Sequence, residues 1–75
     1  MTDRNSMEVY LELSNQRYGD LTPKEQKVVR IGSVVATYQT EMEKHRTSGM
    51  MEEYTIAEDN VLIFLSQLEI AVTEI

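Results

Sequence analysis

The chain has 75 residues, 41% of them hydrophobic, no cysteine and a formal net charge of −6. That length gives one domain, 1–75, burying only about 60% of the surface of its unfolded form. The missing cysteines exclude disulfides and thiolate metal sites, which leaves oligomerisation or a binding partner as reinforcement for so small a core. All seven Lys and Arg lie in residues 1–49, where seven acids balance them, whereas residues 50–75 carry six acids (Glu52, Glu53, Glu58, Asp59, Glu69, Glu74) and no base. The last third therefore repels phosphate backbones, and nucleic-acid binding through it is disfavoured.

No basic start, apolar run and small-residue cleavage site combine in the first thirty residues, so no secretory signal is expected. The longest apolar run, Val61 to Leu65, is too short to cross a bilayer. The expected location is cytoplasmic, with no membrane partner.

In chain order, a first short helix is predicted over about 6–18. Asn5 or Ser6 caps its start, and Met7, Tyr10, Leu11, Ser14 and Tyr18 recur at helical spacing. Gly19 is placed to end it, while Glu8 in the first turn and Arg17 in the last suit the helix dipole. Next comes Leu21-Thr22-Pro23-Lys24-Glu25, in which Thr22 caps a new helix, Pro23 sits where its missing N–H costs nothing, and Glu25 closes a capping box. The second helix, about 23–46, then carries Val28, Ile31, Val35, Tyr38, Met42 and His45 at alternating spacings of three and four, a heptad seam. Gly32 on the flank marks a close helix crossing, because glycine inside a helix costs about 1 kcal/mol against alanine unless packing compensates.

Thr47-Ser48-Gly49 stops this helix, and Met50 to Tyr54 reads as a connection or a short helical turn. A second capping box, Thr55 with Glu58, opens a third helix over about 56–75. Its seam is Val61, Leu65, Leu68, Val72 and Ile75, widened by Phe64 and Ala71. The short connection makes the two long helices antiparallel neighbours. Charges agree with that direction: Lys24, Lys27 and Arg30 at the start of one meet Glu69 and Glu74 at the end of the other, each cluster sitting where its own helix dipole disfavours it. At the opposite end Lys44 and Arg46 approach the acids of residues 52–59. The fold expected is all-α, an antiparallel helical hairpin with a short N-terminal helix.

The third helix is apolar on more than one side. Ile56, Ile63 and Ile70 recur every seven residues away from the seam, and Leu62 adds to the surplus. Either the first helix covers this stripe or another chain does. Met50, Met51 and Tyr54 form a second apolar cluster in the connection, suited to an adaptable partner contact or to packing onto the hairpin's end.

The segment Leu21 to Val29, with its capped Leu-Thr-Pro, resembles over nine residues the opening of a LuxR-type helix-turn-helix. That resemblance implies a short turn and then a recognition helix with basic and amide side chains; here the helix runs on toward an acidic segment. His45, with Glu41 four residues before it and Glu52 or Glu53 across the connection, falls short of the three or four donors of a nitrogen and oxygen metal site. One histidine, no cysteine and no glycine-rich phosphate loop leave no nucleophile and base pair.

No enzyme activity, cofactor or metal is expected. The reading is a non-enzymatic protein-binding module, a small regulator, inhibitor or adaptor of the kind common in bacteria and their phages, acting through Ile56, Leu62, Ile63 and Ile70 with Met50, Met51 and Tyr54. Homodimerisation through the third helix is the expected assembly. Alternatives are a helical chaperone for a partner helix, a nucleic-acid-associated regulator using Lys24, Lys27 and Arg30, and an acidic DNA-mimic inhibitor; the gap in acids between Asp59 and Glu69 weakens the last.

Overall fold

A computed structural model, describing residues 5–75, places three α-helices and one 3-10 turn in the chain: α1 Ser6–Ser14, the turn Tyr18–Asp20, α2 Pro23–Ser48 and α3 Met51–Thr73. Helices α2 and α3 fold back on each other as an antiparallel hairpin, and α1 lies against both near the open end. The expected all-α hairpin with a short N-terminal helix is what forms.

Asn5 caps α1, its side-chain oxygen accepting from the Met7 amide at 2.8 Å. The helix then stops at Ser14, four residues short of the expected end at Tyr18. Ser14, Asn15 and Gln16 are the cause: the Ser14 hydroxyl donates to the Leu11 carbonyl, and such short polar side chains compete with the helical backbone. The early stop lets the chain turn so that Leu13 and Leu21, both buried, enter one core. The buried face of α1 is also rotated from the expected one. Val9 and Leu13 are buried, Met7 and Tyr10 half-buried, and Leu11 and Tyr18 face solvent.

The capping box at the start of α2 forms as predicted. Thr22 Oγ1 accepts from the Glu25 amide at 3.2 Å, and the Thr22 amide donates to Glu25 Oε1 at 2.9 Å. Gln26 Nε2 donates to the Tyr18 carbonyl at 3.0 Å, tying the 3-10 turn to the helix it precedes. No turn interrupts the 26 residues of α2, so the helix-turn-helix implied by the nine-residue resemblance does not follow.

Gly49, at φ 74°, closes α2 in the left-handed conformation that glycine adopts without a Cβ penalty. The Gly49 amide donates to the Arg46 carbonyl and the Met50 amide to the His45 carbonyl. These satisfy two of the carbonyls a helix end orphans. The reversal is complete in Gly49 and Met50, and α3 begins at Met51, so of the two readings of Met50 to Tyr54 the helical one holds, as the first turn of α3 itself. Thr55 is therefore not a cap: its hydroxyl donates to the Met51 carbonyl inside α3. Glu52 and Glu53 occupy the first turn instead, where carboxylates suit the dipole.

Val28, Val35 and Leu68 are fully buried, and Val9, Leu13, Leu21, Val61 and Ala71 complete the core cluster. Tyr38 of α2 stacks on Phe64 of α3 with ring centroids 5.8 Å apart. At the open end Lys27 Nζ lies 3.4 Å from Glu74 Oε1, the predicted charge match realised in one pair. Residue 27 is level with 74 and 38 with 64, so the register holds along the hairpin. At the closed end Arg46 turns instead to Glu43 on its own helix. The hydrogen bond that Arg46 donates to Glu43, then the charge of that carboxylate, raises the Arg46 pKa above the ordinary guanidinium value.

Gly32 is buried beneath α1. A Cβ built on it would lie 2.8 Å from Tyr10 Cβ and nearer still to the ring, so the glycine is the seat on which α1 crosses α2. At about 1.5 Å per residue the nine residues of α1 reach roughly 13 Å, along a molecule 40 Å long. The radius of gyration of 13.6 Å exceeds the ~11 Å of a compact chain this size. The part of the hairpin nearer Gly49 thus projects as two helices without a third.

Candidate interaction surface

Helical geometry decides where the surplus isoleucines go. Each residue advances about 100° around the axis, so Ile63 lies about 200° from the buried Val61, and Ile70 about 200° from the buried Leu68. The stripe is thus nearly opposite the face that α2 and α1 cover, and no helix of this fold can reach it. Ile56, Leu62, Ile63 and Ile70 are accordingly 62%, 59%, 55% and 62% exposed. α1 does not cover the stripe. From Ile56 to Ile70 it runs about 21 Å along α3.

Of the expected cluster in the connection, Met50 and Met51 are exposed at the hairpin tip, whereas Tyr54 is half-buried. Tyr54 lies about 200° around α3 from Ile56, so it turns back toward the hairpin. Met51 and Ile56 border one open recess with Glu52 and Thr55, which makes the tip methionine continuous with the stripe. The structure therefore places Ile56, Ile63 and Ile70 in one exposed line, with Met51 at its tip end and Leu62 about 100° to one side, and leaves Tyr54 outside it.

The stripe runs between polar rails. Glu52, Asp59, Ser66 and Thr73 follow one side, and Glu53, Asn60, Gln67 and Glu74 the other, by helical spacing. Carboxylates gather toward the two ends, with uncharged Ser66 and Gln67 between. The hydroxyls of Thr55 and Ser66 and the amide of Asn60 donate to carbonyls of α3 four residues back. These side chains are occupied with their own helix, and the aliphatic groups and the carboxylates are what α3 offers outward.

Near the tip, Tyr38, Glu41, His45, Glu53, Ile56, Ala57 and Asn60 enclose a recess of about 140 Å³ between the long helices. That is below the roughly 300–1,000 Å³ of small-molecule sites. Among the described residues no three His, Asp or Glu side chains come together as metal donors, and no helix is long and apolar enough to cross a membrane.

Sequence periodicity missed the core roles of Val9, Leu13 and Leu21. The signal available was the four-residue spacing of Val9 and Leu13, which Leu11 and Tyr18 masked. Compared with family models, characterised proteins and solved structures, the chain matches none.

Proposed function

We propose that this chain is a non-enzymatic protein-binding module of the cytoplasm, a small regulator, inhibitor or adaptor that docks its partner on the outer face of α3. The observation that carries the reading is the exposure of Ile56, Ile63 and Ile70 in a line opposite the core, with Leu62 exposed to one side of it. Scattered exposed aliphatics need no explanation, but a contiguous stripe on one rigid helix is the form a helix-in-groove or helix-on-helix contact takes.

Magnitudes support a contact of moderate strength. Burying an aliphatic side chain fully is worth about 1.5–3 kcal/mol, so four side chains about 60% exposed supply roughly 4–7 kcal/mol. A partner contributing as much again brings the gross to about 8–14 kcal/mol; less an association cost of about 4–15 kcal/mol, the ~8 kcal/mol of a micromolar complex lies near the top of what remains. The nucleic-acid alternative has less to draw on, because Lys27 of its basic trio already faces Glu74.

Site-specific photocrosslinking in the native cell tests the reading. A photoreactive residue replacing Ile63 or Ile70 should give a discrete adduct that the same residue at Thr37 or Thr40 of α2 does not. Adducts of equal yield at all four sites, or none at Ile63 and Ile70, would overturn it.

A further inference from the structure

We infer that the occupant of the α3 stripe is a cationic amphipathic helix of another protein, not a second copy of this chain. The inference rests on the protein-binding reading above and names its partner by charge. Around the stripe the charged groups of α3 are Glu52, Glu53, Asp59, Glu69 and Glu74, and residues 50–75 hold no base. Four of these acids, Glu52, Glu53, Asp59 and Glu69, have exposed side chains with no ion pair among the described residues.

A symmetric pairing of two α3 helices brings no base to these acids whichever way it runs. Antiparallel about Ile63, Glu52 of each copy comes opposite the Glu74 that Lys27 already pairs, and Glu53, Asp59 and Glu69 come opposite Thr73, Gln67 and Ala57; parallel, every acid meets its own counterpart. Lys27 of α2 reaches Glu74 just past the end of α3, but the bases of α2 do not reach the other four acids, because along the stripe α2 packs on the opposite side of α3, and a helix with its side chains is about 10–12 Å across. That is already beyond the Debye length of about 8 Å at physiological ionic strength.

A helix carrying an apolar stripe with Lys or Arg on its flanks brings the missing bases. It fills the same apolar line and places its cations against the carboxylates at the two ends, over about 21 Å or four turns. Charge complementarity of this kind selects among partners that share an apolar face.

The test uses the full chain and three amphipathic peptides of about 18 residues, each with a leucine stripe, flanked by lysine, glutamine or glutamate. Fluorescence anisotropy gives their affinities, and light scattering gives the stoichiometry. The lysine peptide should bind one to one. The glutamine peptide should be about tenfold weaker and the glutamate peptide weaker still. Raising salt from about 50 to about 500 mM should weaken the lysine peptide by about fivefold or more. The double variant Ile63→Ser with Ile70→Ser, which alters exposed positions and adds no charge, should lose about tenfold or more of that affinity while circular dichroism stays unchanged.

Lysine-peptide binding that survives the double variant would be diffuse attraction and would overturn the inference. Equal binding of lysine and glutamine peptides, lost in the double variant, would overturn the charge assignment and leave the module reading standing. Self-association of the native chain abolished by the double variant would make a second copy the occupant, with the same consequence. A monomer that binds none of the peptides would overturn both.

Discussion

Replacing Gly32 by alanine separates packing from propensity, because the two predict opposite signs. In an exposed helix interior the change stabilises by about 1 kcal/mol. Here the new Cβ would sit 2.8 Å from Tyr10 Cβ and closer to the ring. The clash involves the root of the tyrosine side chain, which cannot swing clear without shifting α1. Overpacking of that kind costs about 1–3 kcal/mol, so the net effect is a loss of up to about 2 kcal/mol, a large share of the ~4–11 kcal/mol expected for 75 residues. Tyr10→Ala removes the obstacle, and in that background Gly32→Ala should gain close to the full propensity term. Urea unfolding followed by circular dichroism gives all four corners of the cycle, with a coupling of about 1–3 kcal/mol expected. Stabilisation by Gly32→Ala in the native background would refute the seating of α1 on α2 at this residue.

Three further substitutions probe other parts of the frame. Leu68→Ala, at a fully buried position, should cost about 2–5 kcal/mol, whereas Ile63→Ala, more than half exposed, should cost about 1 kcal/mol or less once alanine's better helix propensity is counted; thermal melts of the two variants check the contrast. Gly49→Ala forces a Cβ into the left-handed region and should lower the unfolding free energy by about 1–2 kcal/mol, measured by denaturant titration. Thr22→Ala removes one arm of the capping box and should cost about 1 kcal/mol, with a Tm lower by about 4–8 °C.

Much of the frame is legible in the sequence because local and global signals agree there. Thr22, Pro23 and Glu25 specify a helix start by hydrogen bonding and fixed φ alone, and the seam through Val28 and Val35 meets that through Val61 and Leu68 without competition. The misreadings have physical causes too. Thr55 and Glu58 carry the letters of a capping box, but Gly49 reverses the chain in so few residues that Met51 can already begin the helix, and Thr55 falls inside it. In α1 the apolar residues wrap much of the helix, so Leu11 and Tyr18 compete in the pattern with Val9 and Leu13, and tertiary packing chooses. The exposed stripe is visible as Ile56, Ile63 and Ile70 for a simple reason: a seven-residue repeat two positions from a seam lies almost diametrically across the helix from it. What covers such a stripe is not written in its period, and the charges beside it carry that information.

Because the chain has no cysteine, thiol accessibility measures the central claim directly. Single variants Ile63→Cys and Leu68→Cys, folded and dilute, would be reacted with a thiol reagent under native conditions. The thiol at 63 should react nearly as fast as a model peptide, while that at 68 should be slowed by about a thousandfold or more, the opening frequency of a stable core. Equal protection at the two positions would show that the isoleucine stripe is already covered by the chain's own fold, and would contradict the account.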